Sequence, residues 1–234
     1  MKFPKIDYLY WLSNWSNSIG EKATYSNKNM VEYIVFNGDI NSCTNEIFTL
    51  VKANDLNKSS ILRVVDLIYS WGGKSGRMFY ASIKGEISPR QSLGEDDVVF
   101  SKYLQGVQLA KQGSTESIKK FCSIDRIGLS YASKHAYFWS LGSENPLIIV
   151  DSKIAGTLGY KTISSLESKL DYKLIVKAFK DKAIEVFNED DPSKVERALF
   201  AFHNHYFLND NSGWKNKIKS QDFCEAENLA NVLF

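Results

Sequence analysis

A lysine and an aspartate near the middle of the chain have side chains suited to nucleophilic catalysis. Lys134 lies on a predicted helix that opens after Ile127-Gly128, and Asp151 ends the apolar run 147–150. A lysine amine can attack an electrophilic carbon and form a Schiff base, and a carboxylate can stabilise positive charge or activate the nucleophile. We predict that the two side chains meet across a cleft. The structural alternatives are a buried ion pair between them and two unrelated surface residues.

The residues before Lys134 predict the turn that would position it. Ile127-Gly128, with Ala132 four residues after the glycine, is the pattern of a helix–hairpin–helix element. Glycine permits a sharp turn, alanine permits close helix packing, and the next helix begins with unpaired N–H groups. Such N–H groups can hold a DNA phosphate without recognising the base sequence. An ordinary connection between two helices is the alternative.

Three segments, taken in order, resemble the helix–hairpin–helix DNA glycosylase superfamily. They are most similar to the bacterial proteins described as 8-oxoguanine DNA glycosylase (OGG) fold proteins. The segments are SWGGKSGR (70–77), IGLSYASKHAYFW (127–139) and PLIIVDSKIAGTLGY (146–160). In the better-known members the lysine lies two residues after the second hairpin glycine, whereas Lys134 lies six after Gly128. The four additional residues correspond to about one helical turn.

The resemblance implies a fold and a set of site residues. The fold would be mainly α, a two-lobed helical bundle with a helix–hairpin–helix element and a catalytic cleft between the lobes. It would form one domain over 1–234, with the hairpin and catalytic segment at 115–158. Lys134 would be the nucleophile and Asp151 the carboxylate. The DNA-binding residues would be Arg126, Ile127, Gly128, Ser130, Ser133 and Lys153, and the base pocket would be lined by Trp71, Gly73, Arg77, Phe138 and Trp214.

The implied activity is excision of a damaged or modified base that has been flipped out of double-stranded DNA. Lys134 would attack the sugar, so that a Schiff base forms and AP-lyase activity accompanies base removal. The resemblance suggests 8-oxoguanine as the base. One alternative is an anti-phage glycosylase that removes a hypermodified pyrimidine such as glucosylated hydroxymethylcytosine. Another is a non-catalytic DNA-binding or partner-binding helical domain, in which Lys134 contacts phosphate or forms a core ion pair.

No catalytic metal or organic cofactor is expected, although the family allows a monovalent cation at the hairpin. The three cysteines are far apart, which does not favour a disulfide framework or an iron–sulfur site. His203 and His205 are two residues apart on a predicted helix and therefore point to different faces. Gly73-Lys74-Ser75 lacks the earlier glycine of a phosphate-binding loop.

Composition places the chain among ordinary globular proteins. It has 234 residues, 44% of them apolar, and a net charge of +2, which neither demands nor excludes a polyanionic partner. The apolar runs are too short to span a bilayer and residues 1–12 do not form a signal peptide. We therefore expect a cytoplasmic monomer with no membrane partner.

Periodicity predicts helices through most of the chain. Apolar residues recur at helical spacing over 61–71, 98–110, 115–121, 164–187 and 192–206, and further helical pieces are predicted over 44–52, with Thr44 as a cap, and after Asp151. Residues 78–87 fit a helix or a strand equally well, and 89–97 is predicted to be a polar loop. Gly213-Trp214 is predicted to end the helix that starts at Pro192.

Overall fold

The computed structural model of the protein describes residues 1–15 and 40–208, with the side chains of 74, 75 and 205–208 outside that description. Within these ranges the chain forms eleven α-helices and one 3₁₀ helix, and strand-like pairing is limited to an isolated bridge between Ile83 and Glu86. The prediction of a mainly α fold is confirmed. The elements are α1 Tyr8–Ser13, α2 Ile40–Ala53, α3 Lys58–Gly72, the 3₁₀ helix Gly73–Phe79, α4 Pro89–Glu95, α5 Asp97–Lys111, α6 Ser117–Cys122, α7 Leu129–Trp139, α8 Ser152–Thr157, α9 Ile163–Glu167, α10 Tyr172–Phe187 and α11 Pro192–Leu208.

The helices fall into two compact units, one of residues 20–148 and one of residues 1–19 together with 149–234. In the first unit, α7 packs against α2, α3, α5 and α6. Every residue of α7 except Ser130 is buried. The small side chains of Ala132 and Ala136 are fully buried, which allows the neighbouring helices to approach closely. This helix, which carries Lys134, is the centre of its unit.

In the second unit, α11 packs against α1, α8 and α10. Val195, Ala198 and Leu199 form its buried apolar side, as the periodicity predicted, whereas Phe202 is only half-buried. The aspartate before Pro192 accepts a hydrogen bond from the N–H of Ser193 at 2.9 Å. This agrees with the predicted start of the helix at an Asp-Pro pair.

Two sequence predictions of local structure are wrong. The predicted loop 89–97 contains α4, because Ser88 accepts a hydrogen bond from the N–H of Gln91 and proline occupies the first helical turn. Thr44 is not a cap, since α2 begins at Ile40 and the Thr44 hydroxyl donates back to that residue's carbonyl at 2.7 Å. The hydroxyl of Ser88 caps a helix that was not predicted, whereas the hydroxyl of Thr44 bonds within the helix that it was predicted to start.

The predicted helix 164–187 is divided into α9 and α10. Asp171 is the N-cap of α10, because its side chain accepts a hydrogen bond from the N–H of Lys173 at 2.8 Å. Residues 78–87 contain the end of the 3₁₀ helix and a turn, so neither of the two predicted alternatives describes them. Residues 213–234, including Trp214, lie outside the described residues.

Candidate functional site

Lys134 is a buried lysine in the middle of a helix. Its side chain lies in α7 with only 5% of the residue exposed. The Nζ atom donates to the carbonyl and to the hydroxyl of Ser130, both at 3.3 Å, and lies 5.4 Å from the centre of the Tyr131 ring. A lysine with so little exposure is rare because burying an ammonium group is costly. These contacts with Ser130 and Tyr131 lie about one turn toward the start of the helix.

The loop that follows α3 lies against the same face of α7. The Tyr131 hydroxyl donates to the Gly73 carbonyl at 3.3 Å. A Cβ atom added to Gly72 would lie 2.8 Å from the Tyr131 ring, and one added to Gly76 would lie 2.5 Å from the Tyr69 ring and 2.6 Å from the Tyr131 hydroxyl, so both positions require glycine for close packing. Tyr131 therefore links the segment 70–77 to the helix that carries Lys134. The segments 70–77 and 127–139, which follow each other as motifs in the sequence, are thus in contact.

The turn that opens α7 differs in detail from the prediction. The left-handed residue is Arg126, with φ +57°, whereas Gly128 has φ −84° and needs no glycine for its backbone conformation. A Cβ at Gly128 would meet nothing within 4 Å. No side chain of the described residues caps this helix start. A helix start without a side-chain cap is a geometry that can bind an anion.

Three of the predicted DNA-binding residues are engaged in hydrogen bonds within the protein. The guanidinium of Arg126 is 17% exposed and donates to the carbonyls of Met78 and Ala81. Ile127 is buried and its N–H donates to the Ile124 carbonyl. Ser133 is fully buried and its hydroxyl donates to a carbonyl of its own helix. Phosphate contact by the side chains of Ile127 and Ser133 is therefore excluded, because neither reaches the surface.

Asp151 has a structural role at the start of α8. One oxygen, Oδ1, accepts hydrogen bonds from the N–H groups of Lys153 at 2.9 Å and Ile154 at 3.2 Å. This is an N-cap, and the positive end of the helix stabilises the carboxylate there. The aspartate is half-buried. The Asp151 carboxylate is thus fixed in position by its own main chain.

The helix packed on α8 presents buried polar residues, of which the sequence analysis considered only His203, as half of a possible metal pair. Four buried polar residues of α11 are spaced by three, seven and one positions, so they follow one face of the helix: Ser193, Glu196, His203 and Asn204. Phe200 lies on this face, 4.1 Å from the Nζ of Lys153 to the ring centre. Burial and the Lys153 charge lower the pKa of His203 to about 4, while Asp151 raises it. Their helical spacing was the only available signal in the sequence.

A second buried histidine lies beside Lys134. The Trp139 indole N–H donates to the Tyr103 oxygen at 3.1 Å, and that oxygen lies 2.8 Å from His135 Nδ1. Since the Tyr103 oxygen accepts from Trp139, its own O–H is available for Nδ1, which leaves the imidazole proton on Nε2. Burial, and then the Lys134 charge, lower the pKa of His135 to about 3. The imidazole is neutral at pH 7.

We expect these two histidines to make the fold sensitive to mild acid. Their folded pKa values, about 3 and about 4, lie below the usual 6.5, so only the unfolded chain takes up protons as the pH falls from 6.5. Each should cost about 1.5 kcal/mol of unfolding free energy between pH 6.5 and 5. Urea unfolding at several pH values measures this loss.

The matched variant for this experiment is His135→Gln. Glutamine can still accept a hydrogen bond from Tyr103 but does not titrate, so about half of the pH-dependent loss should disappear even if the variant is less stable at pH 7. An unchanged pH dependence in His135→Gln would contradict the assignment of a neutral buried imidazole.

The predicted base-pocket residues have different environments. Phe138 is 1% exposed, and its ring makes an edge contact of 5.3 Å with half-buried Trp71. The Trp71 indole donates to the Thr44 hydroxyl at 3.1 Å. Gly73 lies at the start of the loop beside Tyr131, and Arg77 is exposed. Phe138 thus belongs to the core, and Gly73 and Arg77 remain the members placed to meet a ligand.

The structure gathers the predicted residues into two groups. Gly73, Ser130 and Lys134 surround Tyr131 in the unit 20–148, whereas Asp151 and Lys153 lie in the other unit. The meeting of Lys134 with Asp151 stays a prediction. In the described part of the chain, no three His, Cys, Asp or Glu residues are placed to hold a metal ion, and no helix is long and apolar enough to cross a membrane.

No protein-family model, curated protein or solved structure matches this chain. Function must therefore be inferred from the side chains and their contacts.

Proposed function

We propose that this protein is a DNA glycosylase with AP-lyase activity, in which Lys134 is the nucleophile. The observation that carries the proposal is the buried Lys134 amine, held in α7 one and a half turns after an uncapped helix start. An anion-binding helix start and a reactive amine on one helix suit a substrate that is both a polyanion and an electrophile. DNA with a cleavable glycosidic bond meets both requirements.

The DNA backbone would be bound at the start of α7. Gly128 has no side chain, and a Cβ there would meet nothing within 4 Å, so a phosphate could approach the main chain closely at this residue. Arg77 is exposed on the segment that Tyr131 ties to the same helix. Lys153 belongs to the first turn of α8, where its charge would add to the attraction for phosphate.

Many other lysines do not need a DNA-binding role. Lys119, Lys177 and Lys182 pair with acidic residues three or four positions along their own helices. Exposed pairs of this kind contribute little to stability and leave the local charge near zero. These three lysines therefore add little net positive charge for binding DNA.

In the reaction, positive charge develops on the sugar as the glycosidic bond breaks, and the Asp151 carboxylate would stabilise it. The Lys134 Nζ atom bonds to C1′ while the base leaves with the bonding electrons. Loss of the nitrogen proton and opening of the sugar ring give a Schiff base, and loss of a C2′ proton then expels the 3′-phosphate. Only a neutral amine can attack C1′, so the proton of the Lys134 ammonium group has to leave before this step.

Borohydride trapping tests the proposal, because it reduces a Schiff base to a permanent protein–DNA bond. Purified protein would be mixed with duplexes that each carry 8-oxoguanine, uracil, an alkylated purine, glucosylated hydroxymethylcytosine or an abasic site. We expect an adduct on the abasic duplex and on one altered base, which is then the substrate. Alkali-labile sites without an adduct would indicate a glycosylase that uses water. Tight DNA binding with neither product would indicate a non-catalytic DNA-binding domain.

A further inference from the structure

Two buried polar atoms in the unit 20–148 make no hydrogen bond within the described part of the protein. They are the hydroxyl oxygen of Tyr69 and the Nε2 atom of His135. Tyr69 is 2% exposed and His135 is fully buried, so neither atom is hydrogen-bonded to the bulk solvent. Leaving such groups unpaired is costly, and the large majority of buried polar atoms in proteins therefore have a partner.

The two atoms belong to neighbouring rings on two helices that pack together. Tyr69 of α3 and His135 of α7 have ring centres 5.5 Å apart, with planes inclined by 57°. Burial raises the pKa of Tyr69, and the nearby hydroxyls of Tyr131 and Tyr103 raise it further. The Tyr69 hydroxyl thus lies near other hydroxyl groups and not among apolar side chains alone.

The hydrogen atoms on the two residues suit one small bridging molecule. The Tyr103 O–H is bound to Nδ1 of His135, so Nε2 carries the imidazole proton and is a donor. The Tyr69 hydroxyl can both donate and accept. A bridging molecule must therefore accept at Nε2 and exchange a hydrogen bond with a hydroxyl, inside a closely packed core. Water is the smallest molecule that does both.

We propose that one buried water molecule is bound between Tyr69 and His135 and joins α3 to α7. It accepts a hydrogen bond from the Nε2–H group and exchanges another with the Tyr69 hydroxyl. The Tyr131 ring stacks on Tyr69 at 4.3 Å between centres, so the water adds a polar link to a contact between aromatic rings. This link supports the helix that carries Lys134 whether or not the protein excises a base.

A crystal structure of the protein tests the site directly. It should show one ordered water within about 3 Å of both the Tyr69 oxygen and His135 Nε2. The crystal structure of Tyr69→Phe should lack this water, because a single hydrogen bond to Nε2–H holds it less well. A direct bond between the two side chains, or wild-type density without a water at this place, would overturn the proposal.

Urea unfolding gives a second test, because a bridged hydroxyl and an unpaired one respond to removal with opposite signs. With the water in place, Tyr69→Phe should lower the folding equilibrium constant about five-fold to ten-fold. Tyr8→Phe sets the scale, since it removes a direct hydrogen bond from a buried tyrosine to the Pro4 carbonyl at 2.8 Å. An unchanged or higher folding constant in Tyr69→Phe would show that the hydroxyl has no partner.

A double-mutant cycle shows that the two residues share the water. In a His135→Phe background the bridge is already lost, so the further change Tyr69→Phe should no longer lower the folding constant. An equal loss in both backgrounds would mean that the Tyr69 hydroxyl is bound elsewhere and would contradict the bridge. If His135→Phe does not fold, the crystal structures and the single variant Tyr69→Phe decide the question.

Discussion

Lys134→Gln should lower the rate of borohydride trapping roughly 10³-fold or more and leave DNA binding intact. Glutamine has no nucleophilic amine but can still hydrogen-bond to Ser130, which the Lys134 Nζ atom contacts at 3.3 Å. The amides at the start of α7 are main-chain groups, so the substitution leaves them in place. Adduct formation on gels and affinity by fluorescence anisotropy measure the two effects separately.

Lys119→Gln is the control for this experiment. Lys119 is on neighbouring α6, is 69% exposed and pairs with Glu116, so its removal takes away one positive charge without touching the candidate site. It should form the adduct at the wild-type rate. An adduct that persists in Lys134→Gln would show that another amine reacts, and thermal unfolding checks that the variant is folded.

Asp151→Asn should slow base release by roughly 10²-fold to 10³-fold with little change in stability. The Asp151 carboxylate caps α8 through the N–H groups of Lys153 and Ile154. Asparagine caps a helix about as well as aspartate, so the unfolding free energy should change by about 0.5 kcal/mol or less. The negative charge that stabilises the developing cation is nevertheless removed. Single-turnover excision kinetics and urea unfolding test the two halves of this prediction.

The chain offers a close control in Asp171→Asn. Asp171 caps α10 by accepting from the N–H of Lys173 at 2.8 Å, so it has the same structural role in the same unit. This variant should keep full activity. If Asp151→Asn excises the base at the wild-type rate, the aspartate serves only as a helix cap. A loss of stability by several kcal/mol would mean that the charge itself holds the fold together.

The helix that carries Lys134 could be predicted because its signals are local. The Ile127-Gly128 pair and Ala132 four residues after the glycine are properties of a few consecutive residues, and α7 starts directly after Gly128. α4 was missed although Ser88-Pro89 is also a local signal, because the polar residues after it lack an apolar stripe. Only Pro89 and Leu93 of that helix are buried, so the helix is stabilised by the Ser88 cap and by the packing of these two side chains.

The roles of individual side chains could not be predicted in the same way. Arg126 and Ser133 both lie in the motif, and the family resemblance implied a phosphate contact for each of them. The guanidinium is bound by carbonyls that are 45 and 48 residues distant in the sequence, and the serine is fully buried. Such contacts depend on which distant segments pack together, and no pattern in neighbouring residues encodes them.

The sequence by itself determined the mainly α fold, the position of α7, and the order in which Lys134 and Asp151 follow each other. These follow from periodicity and capping, which act over one or two helical turns. Only the tertiary structure decided that Lys134 is buried, that Tyr131 joins it to the loop at Gly73, and that polar residues of α11 face α8. The physical reason is that burial and hydrogen-bond partners are set by packing between segments far apart in the chain, whereas local propensity fixes only the backbone.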